Sequence, residues 1–257
     1  MRSLWTGSIS FGLVNIPIKL YSAVESSSLN LDMLDKKDHS NIQFKRVNEK
    51  TGKEVEWSNI VKGYKVDNQY VILSDEDFKK ASPEKTKTID ITEFVGVAQV
   101  PPIYYDASYY IEPEKNGAKA YVLLRDALLK SKKAALGTFV LRSKENICLI
   151  NPGEKILVLH KIRYAEEVRS IEDIKVPDSK ISGPEIQMAI KLIDQLTGDF
   201  DISKYKDTYT ETLMKFIQAK AKGKKFTAPK MRVVHSGTKD LMEELKASLS
   251  QTKRKAS

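Results

Sequence analysis

Three groups of residues in this 257-residue chain could do chemistry: clustered carboxylates, the three histidines with the single cysteine, and runs of lysine and arginine. Asp75 and Asp77, with Glu93, are oxygen donors of the kind a metal-dependent nuclease needs. Yet Asp75, Glu76 and Asp77 directly follow Ser74, and a hydroxyl followed by acidic groups is the signature of a capped helix start. With no histidine or second acidic cluster at ligand spacing, capping is the stronger reading. His39, His160 and His235 fall in a turn, a strand and a basic stretch, which gives no catalytic set. Cys148 alternates with apolar neighbours in NICLI (146–150) and reads as a small buried hydrophobe. Gly52–Lys53 superficially ends a phosphate loop, but Val47 and Glu54 occupy the positions of its first glycine and its magnesium-binding hydroxyl. The sequence assigns no catalytic residue, no metal ligand and no cofactor.

The basic residues carry more information. The whole chain has 43 Lys and Arg against 34 Asp and Glu. Residues 218–257 hold 11 basic and 3 acidic side chains, so only 32 against 31 remain in residues 1–217. No carboxylate lies between Glu211 and Asp240, whereas Lys220, Lys222, Lys224, Lys225, Lys230 and Arg232 all do. Such a tail is drawn to polyanions, although the same composition also suits a solvated linker. A hydrophobic content of 41% fits a folded protein, and one cysteine gives no disulfide framework or multi-thiolate zinc site. No apolar run approaches the roughly 20 residues that cross a bilayer, and MRSLWTGSISFGLVNIPIKLYS is too interrupted for a signal peptide. The expected location is cytoplasmic, with no membrane partner.

The elements that must position these groups are legible from periodicity. Ile9, Phe11 and Leu13 alternate in one phase and Val14, Ile16, Ile18 and Leu20 in the other, which predicts a strand with a bulge near Leu13–Val14. Further strands are expected at 41–47, 69–73, 88–95, 109–112, 134–143, 146–150 and 155–164, a pattern that favours an antiparallel sheet closed into a barrel. Helices are expected after Ser74, over 118–133 with Lys130, Lys132 and Lys133 in its last turn, from the capping box at Ser182 to Thr197, and from about Tyr205 to Ala221. A basic linker over 222–237 leads to a short amphipathic helix at 240–249.

Six segments in order resemble the prokaryotic Ku family: WTGSISFGLVNIPIKLYS (5–22), FKRV (44–47), IVKGY (60–64), YYDASYYIEP (104–113), AYVLLR (120–125) and DLMEELKASL (240–249). The resemblance implies a mixed β/α fold: an antiparallel Ku-type β-barrel core with bridging loops, then a helical C-terminal region and a basic tail. It divides the chain into a core with a DNA-encircling bridge (1–180), a helical dimerisation region (181–222) and a tail with a short helix (223–257). It also implies a homodimeric ring that threads ends of double-stranded DNA in non-homologous end joining and recruits an ATP-dependent DNA ligase, near the nucleoid. Many relatives carry Cys-x-x-Cys where this chain has Asn48 to Thr51, so zinc cannot stiffen that turn here.

Since residues 1–217 are nearly neutral, attraction to DNA requires local segregation of cations. Two segments are enriched: Lys36, Lys37, Lys45, Arg46, Lys50 and Lys53 in the first, and Lys119, Arg125, Lys130, Lys132, Lys133, Arg142 and Lys144 in the second. These are the expected DNA contacts, with the tail cations touching DNA or ligase. Ile186, Ile190, Ile193, Leu213, Phe216 and Ile217 are the expected dimer contacts. Tyr104 to Tyr110 are assigned to packing and not to base stacking. The competing readings are a basic RNA-binding or ribosome-associated protein, and the metal-dependent nuclease.

Overall fold

The N-terminal alternation builds a hairpin. Ile9 on β1 (Trp5–Phe11) and Ile16, Ile18 and Leu20 on β2 (Val14–Ser22) all point inward and are buried. The phase change expected to be a bulge is instead a two-residue turn: Phe11 pairs with Val14, and Gly12 has a φ of +58°. A positive φ at the first central residue is the II′ pattern, which glycine adopts without steric cost and whose twist suits the flanking strands.

The computed structural model describes residues 1–81, 87–153, 155–224, 242, 243, 245, 246 and 248–250, in two compact units, Met1–Ile171 and Glu172–Ser257. In the first unit, β3 (Lys62–Val66) and β4 (Gln69–Leu73) form a separate two-stranded sheet followed by helix α1 (Asp75–Ala81). Strands β5 (Thr88–Gly96), β6 (Tyr105–Pro113), β7 (Lys133–Leu141), β8 (Lys144–Pro152) and β9 (Leu157–Ile162) complete a closed barrel in the order β1-β2-β6-β9-β8-β7-β5. The barrel is antiparallel as expected except at one seam, where β1 and β5 run parallel, Ser8 opposite Thr88. The expected strand over 41–47 is absent as a strand; only isolated bridges join Leu34 to Asn41 and Val47 to Glu54. With no continuous partner for its backbone groups, that segment runs as an irregular connection between two side-chain-capped turns, at 35–40 and 48–52.

Helix α2 (Ala118–Ser131) closes one end of the barrel. Tyr121, Leu124 and Leu128, spaced along one helical face, enter the core beside Ile111, Leu157 and Phe139. The Tyr121 hydroxyl donates to the Ile111 carbonyl at 2.7 Å and accepts from the Leu157 N–H at 2.7 Å, tying the helix to β6 and β9. Helix α2 stops two residues short of the expected end: Lys132 adopts a left-handed φ of 55° and caps it, and Lys133 already belongs to β7. Close packing continues along β7, where a Cβ at Gly137 would stand 2.2 Å from the Asp90 carbonyl, beside the register shift between Ile91 and Glu93.

At the other end, Arg163 donates to the carbonyls of Ile103 and Tyr105 and, at 3.1 Å, to Asp106. Lys161 pairs with the same carboxylate at 2.6 Å. The Lys161 hydrogen bond holds the Asp106 carboxyl below the usual carboxylate range, and Asp106 in turn raises the Lys161 amine.

In the second unit, the Ser182 N–H donates to Glu185 at 2.7 Å and starts α3 (Gly183–Leu196), as the capping-box pattern predicts. Helix α4 spans Thr208–Ala221, three residues shorter at its start than expected because Asp207 caps it through the Thr210 N–H. The described residues of 242–250 are helical, and Met242, Leu245 and Leu249 are partly buried.

Replacing Tyr121 by Phe strands a buried Leu157 N–H and removes the bond to Ile111; unfolding by denaturant is expected to show a loss of about 1–3 kcal/mol. Asp106→Asn is expected to cost roughly 1 kcal/mol near neutrality, the scale of a partly exposed ion pair. Because the folded pKa of Asp106 is depressed, that contribution is present above the ordinary carboxylate pKa and is lost as pH falls through the folded value. Because that of Lys161 is raised, the lysine's share is present below the ordinary lysine pKa and is lost as pH rises through its folded value. Denaturation of both proteins across pH should give curves that converge at acid pH and only narrow at alkaline pH, where the Arg163–Asp106 pair persists after Lys161 loses its proton; a gap constant with pH would contradict the ion pair.

Candidate nucleic-acid interface

Strand register decides which cations share a surface. β2 finishes and β5 begins at the same end of the barrel, because β2 is antiparallel to β1 and β5 parallel to it. Residues 23–87 therefore leave and re-enter at one end, as an arm that carries β3, β4 and α1. β7 starts at the opposite end, opposite Gly96, and runs back toward the root of the arm, so the β7–β8 turn lies at the arm end.

The arm presents its cations on tight turns. Between the bridged residues Leu34 and Asn41, the Asp35 carboxylate accepts from the Lys37 N–H at 2.7 Å and Asp38 accepts from the Ser40 N–H at 3.0 Å. Hydrogen bonds from Ser40 hold the Asp38 carboxyl below its usual range. Lys36 and Lys37 project from this turn into solvent. A second turn follows: the Asn48 side-chain oxygen accepts from the N–H groups of Lys50 and Thr51, both at 3.0 Å, and the Asn48 carbonyl accepts from the Gly52 N–H at 2.8 Å. A carboxamide thus orders the turn where thiolates were expected in relatives, and Lys50 and Lys53 are exposed on it. At its base Lys45 pairs with Glu54 at 2.8 Å, and the Arg46 guanidinium lies 4.9 Å from the centre of the Trp57 ring.

Arg142 and Ser143 form the β7–β8 turn with φ of 54° and 69°. Both central residues are left-handed, as in a type I′ turn, a conformation that costs an L-residue other than Gly or Asn roughly 1–2 kcal/mol. The buried Asn146 amide donates to the Lys144 carbonyl at 2.7 Å and braces the turn. Arg142 and Lys144 are exposed, and among the described residues neither has an ion-pair partner.

The remaining expected contacts lie elsewhere. Lys119, Lys130, Lys132 and Lys133 are exposed at the α2 end, separated from Arg142 by the length of β7, about 27 Å. Arg125 is committed to Asp126 at 2.8 Å and to the Lys155 carbonyl at 3.2 Å. In the second unit Lys220, Lys222 and Lys224 are exposed at the end of α4, while Lys225, Lys230 and Arg232 lie outside the described residues. Ile186, Ile190 and Ile193 are exposed on α3, as are Phe216 and Ile217 on α4, and Leu213 is half-buried.

The groups weighed for catalysis take structural positions. Asp77 accepts from both the N–H and the hydroxyl of Ser74, and this cap holds its carboxyl below the usual range. Burial pushes the Cys148 thiol up to about 12, so it stays protonated and unreactive. Burial also lowers the His160 pKa; its Nδ1 is 2.9 Å from the Ser108 hydroxyl. Tyr109 packs against the core and Tyr104 and Tyr105 are half-buried, whereas Tyr110 alternates to the outer face of β6 and is exposed, against the packing assignment. Trp57 escaped the sequence reading; its one available signal was an aromatic residue within the polar stretch EVEWSN.

Comparison with known proteins bears on this arrangement. The sequence profile of the Ku70/Ku80 beta-barrel domain matches residues 10–188. A Non-homologous end joining protein Ku from Bacillus subtilis (strain 168) is 40% identical over 259 residues, which cover 99% of this chain and 83% of that protein. The protein of the same name from Archaeoglobus fulgidus is 40% identical over 98% of this chain and 100% of its own length, and that from Opitutus terrae 39% over 98% and 92%. A closed barrel with an arm rooted at one end, matched by the profile from β1 into α3 and by relatives along almost every residue, places this chain in the Ku family.

Proposed function

We propose that this chain is a non-enzymatic DNA-end-binding protein of non-homologous end joining. The observation that carries the reading is near-full-length similarity to proteins named for that process. Two copies form a ring whose lining is supplied by the arm cations Lys36, Lys37, Arg46, Lys50 and Lys53 together with Arg142 and Lys144, with Lys45 beside them paired to Glu54. Lys119, Lys130, Lys132 and Lys133, at the α2 end, are outer contacts in this reading, while Arg125 is held by Asp126 and the Lys155 carbonyl and stays out of the contact. A protein that accepts any broken end cannot depend on base sequence, and Lys and Arg contacts to phosphate position a duplex without reading it. The strained Arg142 turn supports the assignment, since a costly backbone conformation holds a cation outward at a sequence position that glycine or asparagine would fill with less strain.

The dimer is supported by apolar surface. The β3–β4 hairpin exposes Tyr64, Tyr70, Val71 and Ile72, and an isolated two-stranded hairpin is marginal in water. In the second unit the exposed apolar residues of α3 and α4 are, separately, surface of the kind a second copy can cover. The loaded dimer then recruits an ATP-dependent DNA ligase, with the tail cations Lys220, Lys222, Lys224, Lys225, Lys230 and Arg232 as the contact to DNA or ligase.

A ring admits duplex only through a terminus. Linear duplex is therefore expected to bind stably, with log Kd changing against log salt by about 0.9 per phosphate neutralised, while covalently closed circles and RNA hairpins compete poorly. Equal competition by circles at matched salt would refute the threaded ring. Light scattering at micromolar concentration should give a mass of about 58 kDa, twice the 29.1 kDa chain; a monomeric mass would refute the dimer.

A further inference from the structure

The two neighbouring cations of the arm rung, Lys45 and Arg46, are equivalent by charge but not by surroundings. Lys45 is neutralised in place by Glu54 at 2.8 Å. Arg46 has no ion-pair partner among the described residues; its guanidinium instead rests over the ring of Trp57, a residue that is 72% exposed. The backbone keeps this pair in register, with the Val55 N–H donating to the Arg46 carbonyl at 2.8 Å and the bridge between Val47 and Glu54 next to it. Beyond the bridge the Asn48-capped turn closes the hairpin, and Trp57 opens the short helical turn Trp57–Asn59.

A guanidinium carbon 4.9 Å from the centre of an indole ring lies within reach of its π face, which attracts the cation. No carboxylate among the described residues takes up the N–H edge of that guanidinium. That edge is a fork matched to two oxygens of a phosphodiester. An exposed arginine ordinarily loses side-chain freedom when it binds; one already held on a ring loses less. A tryptophan this exposed, in a segment of polar residues, gains little from burial, and its one described ring contact is with Arg46.

We infer that Arg46 and Trp57 form a preorganised phosphodiester clamp, with Trp57 as its positioning residue, and that Glu54 withdraws Lys45 from the contact. The inference rests on the DNA-binding reading and refines it: of the two adjacent cations, only one grips the backbone, and an uncharged residue sets how well it does so.

The test is binding of the full-length chain to a short fluorescent blunt duplex, followed by anisotropy over a range of salt, with thermal melting to confirm folding. Arg46→Ala should weaken binding and reduce the salt slope by about 0.9 per copy bound. Trp57→Ala retains every charge, so it should leave the slope unchanged yet raise Kd roughly 2- to 5-fold per copy, and Trp57→Phe should recover most of that loss. Lys45→Ala should change little. Glu54→Gln should tighten binding in the native background, and that gain should vanish in Lys45→Ala, since it comes from releasing Lys45. If Trp57→Ala binds as the native chain does, or Trp57→Phe fails to recover a loss, the positioning role is wrong. If Lys45→Ala costs as much as Arg46→Ala, the withdrawal of Lys45 is wrong. A native chain that does not bind the duplex overturns the DNA-binding reading itself and the clamp with it, whereas native binding with indifferent variants overturns the clamp alone.

Discussion

Closure of the barrel through a parallel seam is the constraint from which the rest of the first unit follows. β5 pairs with β1 and not with β2, the strand that precedes it in sequence among those of the barrel, so the chain must cross over β1 outside the sheet. β2 and β5 run antiparallel to each other and meet the same barrel end, so the connection passes around the end of β1 and not along the barrel. Here the crossover is 23–87, long enough to hold its own two-stranded sheet and helix. The seam is held by backbone pairing, including the Ser8 N–H to the Lys87 carbonyl at 2.8 Å. Because both ends of the crossover are fixed at one barrel mouth and α2 occupies the other, the unit has two chemically different ends.

Electrostatics acts through placement on this frame. A net charge of +1 over residues 1–217 produces almost no long-range pull, so each cation matters according to its immediate partner. Arg125, Lys161 and Arg163 have their charges committed to Asp126 or Asp106 and hold structure together. Lys36, Lys37, Lys50, Lys53, Arg142 and Lys144 sit on turns whose shape is maintained by neutral or acidic side chains beneath them. The acidic residues Asp35 and Asp38 are thus not simple opponents of the basic groups; their oxygens are used on backbone N–H groups to build the turns that display them.

Much of the fold was legible in the sequence. The barrel, β4 at 69–73, the Ser74 and Ser182 caps and the helical stripe of α2 all rest on local chemistry: alternation, a hydroxyl or carboxylate at a helix start, and apolar residues at helical spacing. The errors share a cause. The Leu13–Val14 phase change is compatible with a bulge or a turn, and only pairing of Phe11 with Val14 distinguishes them. The segment 41–47 has strand composition but lacks a continuous strand partner, and a strand without one leaves its backbone unsatisfied.

The candidate site divides in the same way. Residue types and order alone established that this chain is barrel-forming, that its charge excess is concentrated toward the tail, and that its acidic triplet starts a helix, because each of these depends on identity or near neighbours. Tertiary structure decided that Lys130 and Arg142 face opposite ends of the barrel, that Arg125 is already occupied, and that Trp57 lies under Arg46. Those outcomes depend on the register between strands and on turns that bring residues 11 apart face to face. Contacts of that kind are set by the packing of distant segments, which no local pattern encodes.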